Sequence, residues 1–289
     1  MKPSWLKAKI PSGENFFKLK LLMRSAGLHT VCEEAMCPNI GECWAKGSAT
    51  IMILGDTCTR SCGFCAVKTG RPSVTDWDEP LRVSQALGKL NLKHVVITSV
   101  DRDDLPDGGS EIFAQTIEAV KRRDPGLIVE VLIPDFKGHE EDLLRVFRAG
   151  PHILNHNLET VARLQKRVRP QASYDRSLFV LERAKKFGLV NKSGIMLGLG
   201  ETWEEIVQTL SDLRERTDCE MLTVGQYLSP TKTHLPVERY YTPDEFEEIG
   251  RIARELGFTH VASGPFVRSS YFAEEQYRSP QVLSPAQHG

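Results

Sequence analysis

Short apolar runs rich in β-branched residues recur at six places along the chain. Runs of this length and composition are typical of buried strands. They cover residues 49–54, 94–100, 127–133, 152–155, 194–199 and 221–227. The pattern therefore predicts six strands.

Between these runs, residues recur at the three- and four-residue spacing of an amphipathic helix. The recurring positions are Val83, Leu87 and Leu90; Phe113, Ile117 and Val120; Leu143 and Phe147; Leu178, Leu181 and Lys185; and Ile206, Leu210 and Leu213. Strands that alternate with helices require right-handed crossovers and a parallel sheet. We expect an α/β fold, a curved partial parallel (β/α)6 barrel, with a flat doubly wound sheet as the alternative.

A last helix is predicted after the sixth strand. Thr242 and Glu245 have the spacing of a capping box, and Pro243 between them occupies the first helical position. Apolar residues continue the helical period, and Gly257 is the expected end of the helix.

The chain shows no internal repeat, low-complexity tract or flexible interdomain linker. We therefore expect one catalytic domain with an addition at each end. The predicted divisions are an N-terminal extension over residues 1–47, a barrel over residues 48–263 and a C-terminal tail over residues 264–289.

Composition narrows the functional classes only moderately. With 40% hydrophobic and 26% charged residues the chain is expected to be globular, and a net charge of −1 gives no overall attraction to nucleic acid. No apolar run approaches the roughly 18 residues that span a bilayer, and the first residues lack the apolar core of a secretion signal. We expect a cytoplasmic protein with no membrane or nucleic-acid partner.

Cysteine spacing is the first strong chemical indication. Six of the seven cysteines form two triplets, Cys32, Cys37 and Cys43, then Cys58, Cys62 and Cys65. In a reducing compartment such groups indicate metal or catalytic sites rather than disulfides. Structural zinc takes four ligands, and neither triplet has a fourth at ordinary spacing. A [4Fe–4S] cluster held by three thiolates has an iron left to bind another ligand, which favours an iron–sulfur site over zinc.

The second triplet, C-T-R-S-C-G-F-C, has the spacing C-x3-C-x2-C with Phe64 before its last thiol. It resembles the cluster motif of the radical S-adenosylmethionine (SAM) superfamily. The resemblance implies that SAM binds the open iron as a cosubstrate. It also implies reductive cleavage of SAM to a 5′-deoxyadenosyl radical, for which iron–sulfur potentials as low as about −700 mV suffice.

The first triplet, V-C-E-E-A-M-C-P-N-I-G-E-C-W, has the spacing C-x4-C-x5-C and is similar to the auxiliary-cluster motif of the lipoyl synthase family. The segment R-S-S-Y, residues 268–271, resembles a C-terminal motif of the same family. The resemblance extends over most of the chain. It implies a second [4Fe–4S] cluster held by the first triplet, with Ser269 rather than Ser270 as the fourth ligand and a catalytic residue. From spacing alone, the two adjacent serines are more typical of a turn than of iron ligation.

The resemblance also implies an activity and its partners. A sulfurtransferase of this family inserts two sulfur atoms at C6 and C8 of a protein-bound octanoyl group, using two SAM molecules and a sacrificial auxiliary cluster as sulfur donor. The implied partners are octanoylated carriers (the glycine-cleavage H protein or 2-oxoacid dehydrogenase E2 domains), an electron donor such as ferredoxin or flavodoxin, and an iron–sulfur repair carrier. A basic group, Arg163, Lys166, Arg167 and Arg169, is a candidate docking face for an acidic carrier, with a solvated helix face as the alternative.

Polar residues that follow the predicted strands are candidate SAM contacts, because active sites of parallel barrels lie at that end. Gly108 and Gly109 would let the backbone approach the methionyl end, and Asn157 and Glu159 would bind the ribose. The segment G-I-M-L-G-L-G-E resembles the adenine-side motif of radical enzymes, with Met196 in place of the usual isoleucine. Its candidate residues are Gly198 and Glu201. Turns and helix caps are the alternative roles for all of these residues.

Several remaining residues are predicted to be structural. His139, His152, His234 and His260 lack the paired spacing of metal ligands. Cys219 precedes an apolar strand and is expected to be a buried free thiol outside both clusters.

Overall fold

Strands and helices alternate along most of the chain. A computed structural model describes residues 3–6, 13–45, 50–72, 74–90, 92–271 and 273. Within them the α-helices are α1 (Glu14–Ser25), α2 (Val31–Glu34), α3 (Ile40–Ala45), α4 (Glu79–Leu87), α5 (Ser110–Arg123), α6 (Glu140–Arg148), α7 (Gln165–Val168), α8 (Tyr174–Phe187), α9 (Trp203–Thr217) and α10 (Pro243–Glu255).

The strands form one large sheet and a two-stranded ribbon. They are β1 (His29–Thr30), β2 (Thr50–Ile53), β3 (Thr57–Cys58), β4 (Lys68–Thr69), β5 (His94–Ser99), β6 (Ile128–Leu132), β7 (Ile153–Asn155), β8 (Val190–Leu197), β9 (Met221–Gln226) and β10 (His260–Gly264). The order in the large sheet is β1-β2-β5-β6-β7-β8-β9-β10, and β3 pairs with β4. From β2 to β10 every neighbouring pair is parallel, while β1 runs antiparallel to β2.

The predicted parallel α/β fold is confirmed, and all six predicted strands are present as β2, β5, β6, β7, β8 and β9. The sheet has one parallel strand more than the predicted six, because β10 extends it beyond β9. In β10 only His260 is buried, and the strand has the sequence H-V-A-S-G. It therefore lacks the apolar run by which the other strands were recognised.

Helix α10 begins as its sequence predicts. The Thr242 hydroxyl accepts a hydrogen bond from the Glu245 amide, and the Glu245 carboxylate accepts one from the Thr242 amide. The helix ends at Glu255, slightly earlier than expected, and Gly257 follows with a φ of +95° that suits glycine.

The N-terminal helices pack directly on the barrel. The rings of Phe16 in α1 and Trp44 in α3 lie 5.1 Å apart, and both belong to the same hydrophobic core as Ile51 and Ile97 of the sheet. The predicted division at residue 47 lies outside the described residues, and the predicted boundaries stay a prediction. No helix among the described residues is long and apolar enough to cross a membrane.

A fully buried charge network lies inside the sheet. The Lys192 ammonium is 3.0 Å from one Glu130 carboxylate oxygen, and the imidazole of His94 is 3.1 Å from the other. Burial by itself would raise the pKa of Glu130, but the positive charge of Lys192 and the His94 contact outweigh it and lower the pKa to about 2. Glu130 is therefore ionised, and its charge depends on Lys192 for compensation.

Replacing Lys192 with methionine is expected to lower the free energy of unfolding by about 3–5 kcal/mol, because it leaves a buried carboxylate without its cation. Urea denaturation under anaerobic conditions measures the change. Lys186→Met is the matched control, since Lys186 is exposed and forms an ion pair with the partly exposed Glu182. It is expected to change stability by less than about 0.5 kcal/mol. Equal effects of the two variants would contradict this role of Lys192.

Candidate active site

A cavity of about 550 Å³ opens at the carboxyl ends of the parallel strands. Its lining combines elements that are far apart in the chain: both cysteine triplets, residues 268–271, and the ends of β5, β6, β8 and β9. All six clustered cysteines line it: Cys32, Cys37, Cys43, Cys58, Cys62 and Cys65. Its volume falls within the range of roughly 300–1,000 Å³ found for small-molecule sites.

The second triplet is held by backbone hydrogen bonds. Cys58 ends β3, and its sulfur accepts hydrogen bonds from the amides of Arg60, at 3.4 Å, and Asp101, at 3.3 Å. Gly63 anchors the loop through a 2.9 Å bond from its amide to the Val168 carbonyl. Donors directed at sulfur suit a thiolate, which is the form that binds iron.

A charge network fixes the same loop. The buried Arg60 guanidinium donates two hydrogen bonds to Asp103, at 2.7 and 2.9 Å, and one to Asp135 at 2.7 Å. Burial by itself would raise the pKa of Asp135, but its bond to Arg60 and the nearby positive charges hold that pKa well below its usual range. Beside them, burial raises the pKa of Asp101 to about 6 even though Arg60 opposes this. A bidentate pair of this kind sets the position of the loop as well as its charge.

The first triplet extends from the short helix α2 to α3. The Thr30 hydroxyl caps α2 by accepting a hydrogen bond from the Glu33 amide, and Cys32 lies buried in the helix. Cys37 follows α2, and Cys43 lies in α3. This wall of the cavity is thus formed by the N-terminal extension.

The R-S-S-Y segment is tied to both the extension and the barrel. The side-chain amide of Asn157 donates to the Ser269 hydroxyl at 2.6 Å, and the Thr50 hydroxyl donates to the Ser270 hydroxyl at 2.7 Å. The side-chain amide of Asn39 donates to the Phe266 carbonyl at 2.6 Å. Gly225 makes this approach possible, because a Cβ there would lie 2.1 Å from the Val267 carbonyl oxygen.

The donor set fits iron–sulfur clusters better than single metal ions. All seven cysteines are free thiols. In the described residues, no three His, Cys, Asp or Glu side chains are grouped as a single metal ion would require. Thiolates are the ligands that iron–sulfur clusters take, and each triplet would leave one iron of a [4Fe–4S] cluster open. Burial raises the pKa of Cys32 to about 11 and that of Cys62 to about 12, so metal binding at these thiols would release protons.

Of the six candidate SAM contacts, two line the cavity. Asn157 and Glu159 both do, and the Asn157 amide also donates to the Glu159 carboxylate at 3.0 Å. Glu159 has a φ of +63°, a backbone conformation that is strained for a residue with a side chain.

The other four candidates lie outside the cavity lining and make local structure. Gly109 caps α5 with a φ of 89°, and a Cβ there would lie 2.4 Å from the Leu54 side chain. Gly108, which also has a positive φ, belongs to the same turn. The Glu201 carboxylate accepts hydrogen bonds from the amides of Gly198 and Leu199, which closes its own loop. These residues form turns and caps here, and their contact with SAM stays a prediction.

The basic docking face is not supported as a unit. Arg169 is buried and lines the cavity, where it donates to the Asn157 carbonyl at 3.0 Å. Arg163 and Arg167 are paired with Glu205 and Glu238, and Lys166 is exposed. Cys219 is fully buried, as predicted.

Sequence reasoning missed several residues of the cavity. Arg60, Asp135 and His156 received no role, although all three line it. His156 is buried, its Nδ1 is 2.8 Å from the Ile133 carbonyl, and burial lowers its pKa to about 4, so it is a neutral imidazole. Only the position of Arg60 inside the cysteine motif and that of His156 before Asn157 pointed toward the site.

Comparison with known proteins agrees with this geometry. A family description of the radical SAM superfamily matches residues 52–213, and one of the N-terminal domain of lipoyl synthase matches residues 1–37. The lipoyl synthase of Rubrobacter xylanophilus is 58% identical over 277 residues, covering 95% of this chain and 86% of the relative. The mitochondrial lipoyl synthase of Nematostella vectensis is 52% identical over 275 residues, covering 95% of this chain and 94% of the relative.

Solved structures support the fold independently of close sequence identity. A maturase of the [FeFe]-hydrogenase superposes with a TM-score of 0.58 at 16% identity, covering 86% of this chain and 57% of the other. Methylornithine synthase superposes with a TM-score of 0.50 at 16% identity, covering 95% of this chain and 88% of the other. Since more than half of the aligned residues are identical to those of lipoyl synthases over 95% of its length, the chain belongs to the lipoyl synthase family of the radical SAM superfamily.

Proposed function

We propose that this chain completes the lipoyl group by inserting sulfur at C6 and C8 of an octanoyl chain attached to a carrier-protein lysine. The observation that carries the proposal is that both cysteine triplets and Ser269 line one cavity. Those two carbons are unactivated, and no side-chain base removes such a proton at neutral pH. The reaction therefore needs a radical initiator and a sulfur source within reach of the same acyl chain.

The chain offers a separate set of ligands for each requirement. Cys58, Cys62 and Cys65 would hold the [4Fe–4S] cluster that binds SAM, and the first triplet with Ser269 would hold a second one. When bound, the SAM-binding cluster would supply the electron that cleaves SAM, and the auxiliary cluster would supply sulfur and would then need repair. Each new C–S bond needs one hydrogen abstraction, so two SAM molecules would be used per product.

The barrel residues position these groups. Arg60 holds the loop of the second triplet through Asp103 and Asp135. Asn157 and Glu159 would hydrogen-bond the SAM ribose, and their position in the cavity lining supports this. The buried Arg169 holds the Asn157 carbonyl and so fixes the position of this segment.

The same cavity suits an acyl chain. Apolar side chains contribute to its lining, among them Met52, Phe64, Val100, Leu132, Ile195 and Met196. They would solvate the methylenes and exclude water from a carbon radical. The carrier itself would remain outside, whether it is the glycine-cleavage H protein or a 2-oxoacid dehydrogenase E2 domain. A small redox protein such as ferredoxin or flavodoxin, and a repair carrier, complete the proposed partners.

Anaerobic reconstitution tests the function. The protein is loaded with iron and sulfide, then incubated with dithionite, SAM and an octanoylated carrier, and the products are measured by mass spectrometry. We expect 5′-deoxyadenosine together with a carrier that has gained two sulfur atoms. Deoxyadenosine without thiolated carrier would indicate a different substrate, and neither product would reject the enzyme assignment.

Ser269→Ala is expected to permit 5′-deoxyadenosine formation while lowering lipoyl yield by about tenfold or more, the size of effect found even for partners of metal ligands. An alkoxide is a harder ligand than thiolate and would leave iron more readily as sulfur is extracted. Yield per loaded polypeptide measures the effect.

Ser270→Ala is the matched control. Ser270 also lines the cavity, but its hydroxyl is engaged by Thr50. We expect near-normal lipoyl yield from it. A normal yield from Ser269→Ala would remove Ser269 from the ligand set.

A further inference from the structure

Met36 occupies a backbone position that normally favours glycine. Helix α2 ends in a Schellman motif, in which the Met36 amide donates to the Glu33 carbonyl and the Cys37 amide to the Cys32 carbonyl. Met36 takes the left-handed conformation that closes this motif, with a φ of 52°. That conformation is unfavourable for a residue with a Cβ, and Gly or Asn usually provides it.

The Met36 side chain packs little against the rest of the protein. It is 61% exposed, so the protein core does not account for it. Among the described large apolar residues that are exposed, it alone also lines the cavity. Met36 therefore lies at the mouth, next to Cys37 and on the wall formed by the N-terminal extension. Strain that packing does not explain points to a role in function.

We propose that Met36 is a positioning residue that packs on the first methylenes of the acyl chain, next to the lysine amide, where that chain enters the cavity. This rests on the proposed function, in which an acyl chain passes from the carrier surface to the cysteine triplets. The reacting carbons lie near the far end of that chain, so the part near the amide and the lysine stem lies at the mouth. A flexible thioether side chain suits a mobile methylene chain. A glycine at position 36 would relieve the backbone strain but would offer no such contact.

Binding of the carrier to the reconstituted protein tests this role separately from catalysis. Titrations compare the octanoylated carrier with the same carrier without its acyl group. Met36→Gly is expected to weaken binding of the octanoylated carrier about fivefold, the effect of losing contact with little more than one buried methylene. Binding of the unacylated carrier should not change. The unfolding midpoint should be unchanged or higher, because glycine removes the left-handed strain.

Two further variants separate apolar contact from backbone conformation. Met36→Asn also suits the left-handed position but is polar, so it should lose affinity as Met36→Gly does. Met36→Leu keeps an apolar side chain and should bind nearly as the unmodified protein does. Equal affinity of Met36→Gly and the unmodified protein for the octanoylated carrier, or a loss shared with the unacylated carrier, would overturn the proposal. Failure of the unmodified protein to convert the octanoylated carrier would instead reject the proposed function.

Discussion

Cys62→Ala is expected to abolish both 5′-deoxyadenosine and lipoyl formation, with rates falling by more than about a hundredfold. Even the outer partners of metal ligands are typically worth roughly ten- to a hundredfold, and loss of a ligand exceeds this. Cys62 belongs to the three-thiol loop that Arg60 and its carboxylate partners hold in place. Removing one thiol leaves too few ligands for the SAM-binding cluster. Deoxyadenosine measured per polypeptide, under reducing anaerobic conditions, gives the effect.

Cys219→Ala is the control for this experiment. It removes a cysteine that is fully buried and outside the cavity, where its thiol donates to the Met221 carbonyl at 3.3 Å. We expect both products to form at nearly normal rates. Comparable losses from the two variants would show that the second triplet has no special part in SAM cleavage.

Cys37→Ala is expected to abolish only one of the two products. SAM cleavage should continue, because the loop of the second triplet remains intact. Lipoyl formation should fall by more than about a hundredfold, because Cys37 is a proposed ligand of the sulfur-supplying cluster. The deoxyadenosine would then form without thiolated carrier. Parallel measurement of the two products in one reaction distinguishes this pattern from a general loss of activity.

The two cysteine variants are matched in chemistry and in exposure. Cys37 and Cys62 are both half-buried and line the same cavity, and burial raises the pKa of each thiol. A loss of deoxyadenosine in Cys37→Ala as complete as in Cys62→Ala would show that the first triplet supports the fold rather than a separate cluster. This comparison therefore separates two ligand sets from one.

The strands were predictable where burial requires a continuous apolar run. Strand β5 is buried at all but its last residue and β6 at its three central residues, and the positions of both followed from the sequence. Strand β10 lies at the edge of the sheet and is mostly half-buried, so its residues carry no such requirement. Its place in the sheet comes from pairing with β9, which is a tertiary contact.

The candidate site was predictable to the extent that its chemistry depends on local spacing. Each cysteine triplet lies within a short segment of the sequence, and both were found. The contacts of Arg60 join residues 43 and 75 positions apart, and no local pattern records such pairs. Gly108, Gly109, Gly198 and Glu201 stay predictions as cofactor contacts, because glycines and carboxylates that form turns are the same residue types that bind ligands.

The central claim is that one polypeptide holds two [4Fe–4S] clusters at one cavity. Anaerobic quantification of iron and sulfide per polypeptide, combined with Mössbauer spectroscopy, tests it most directly. The account predicts about eight irons in the reconstituted protein, and about four when Cys58, Cys62 and Cys65 are all replaced by alanine. About four irons in the unmodified protein would contradict it.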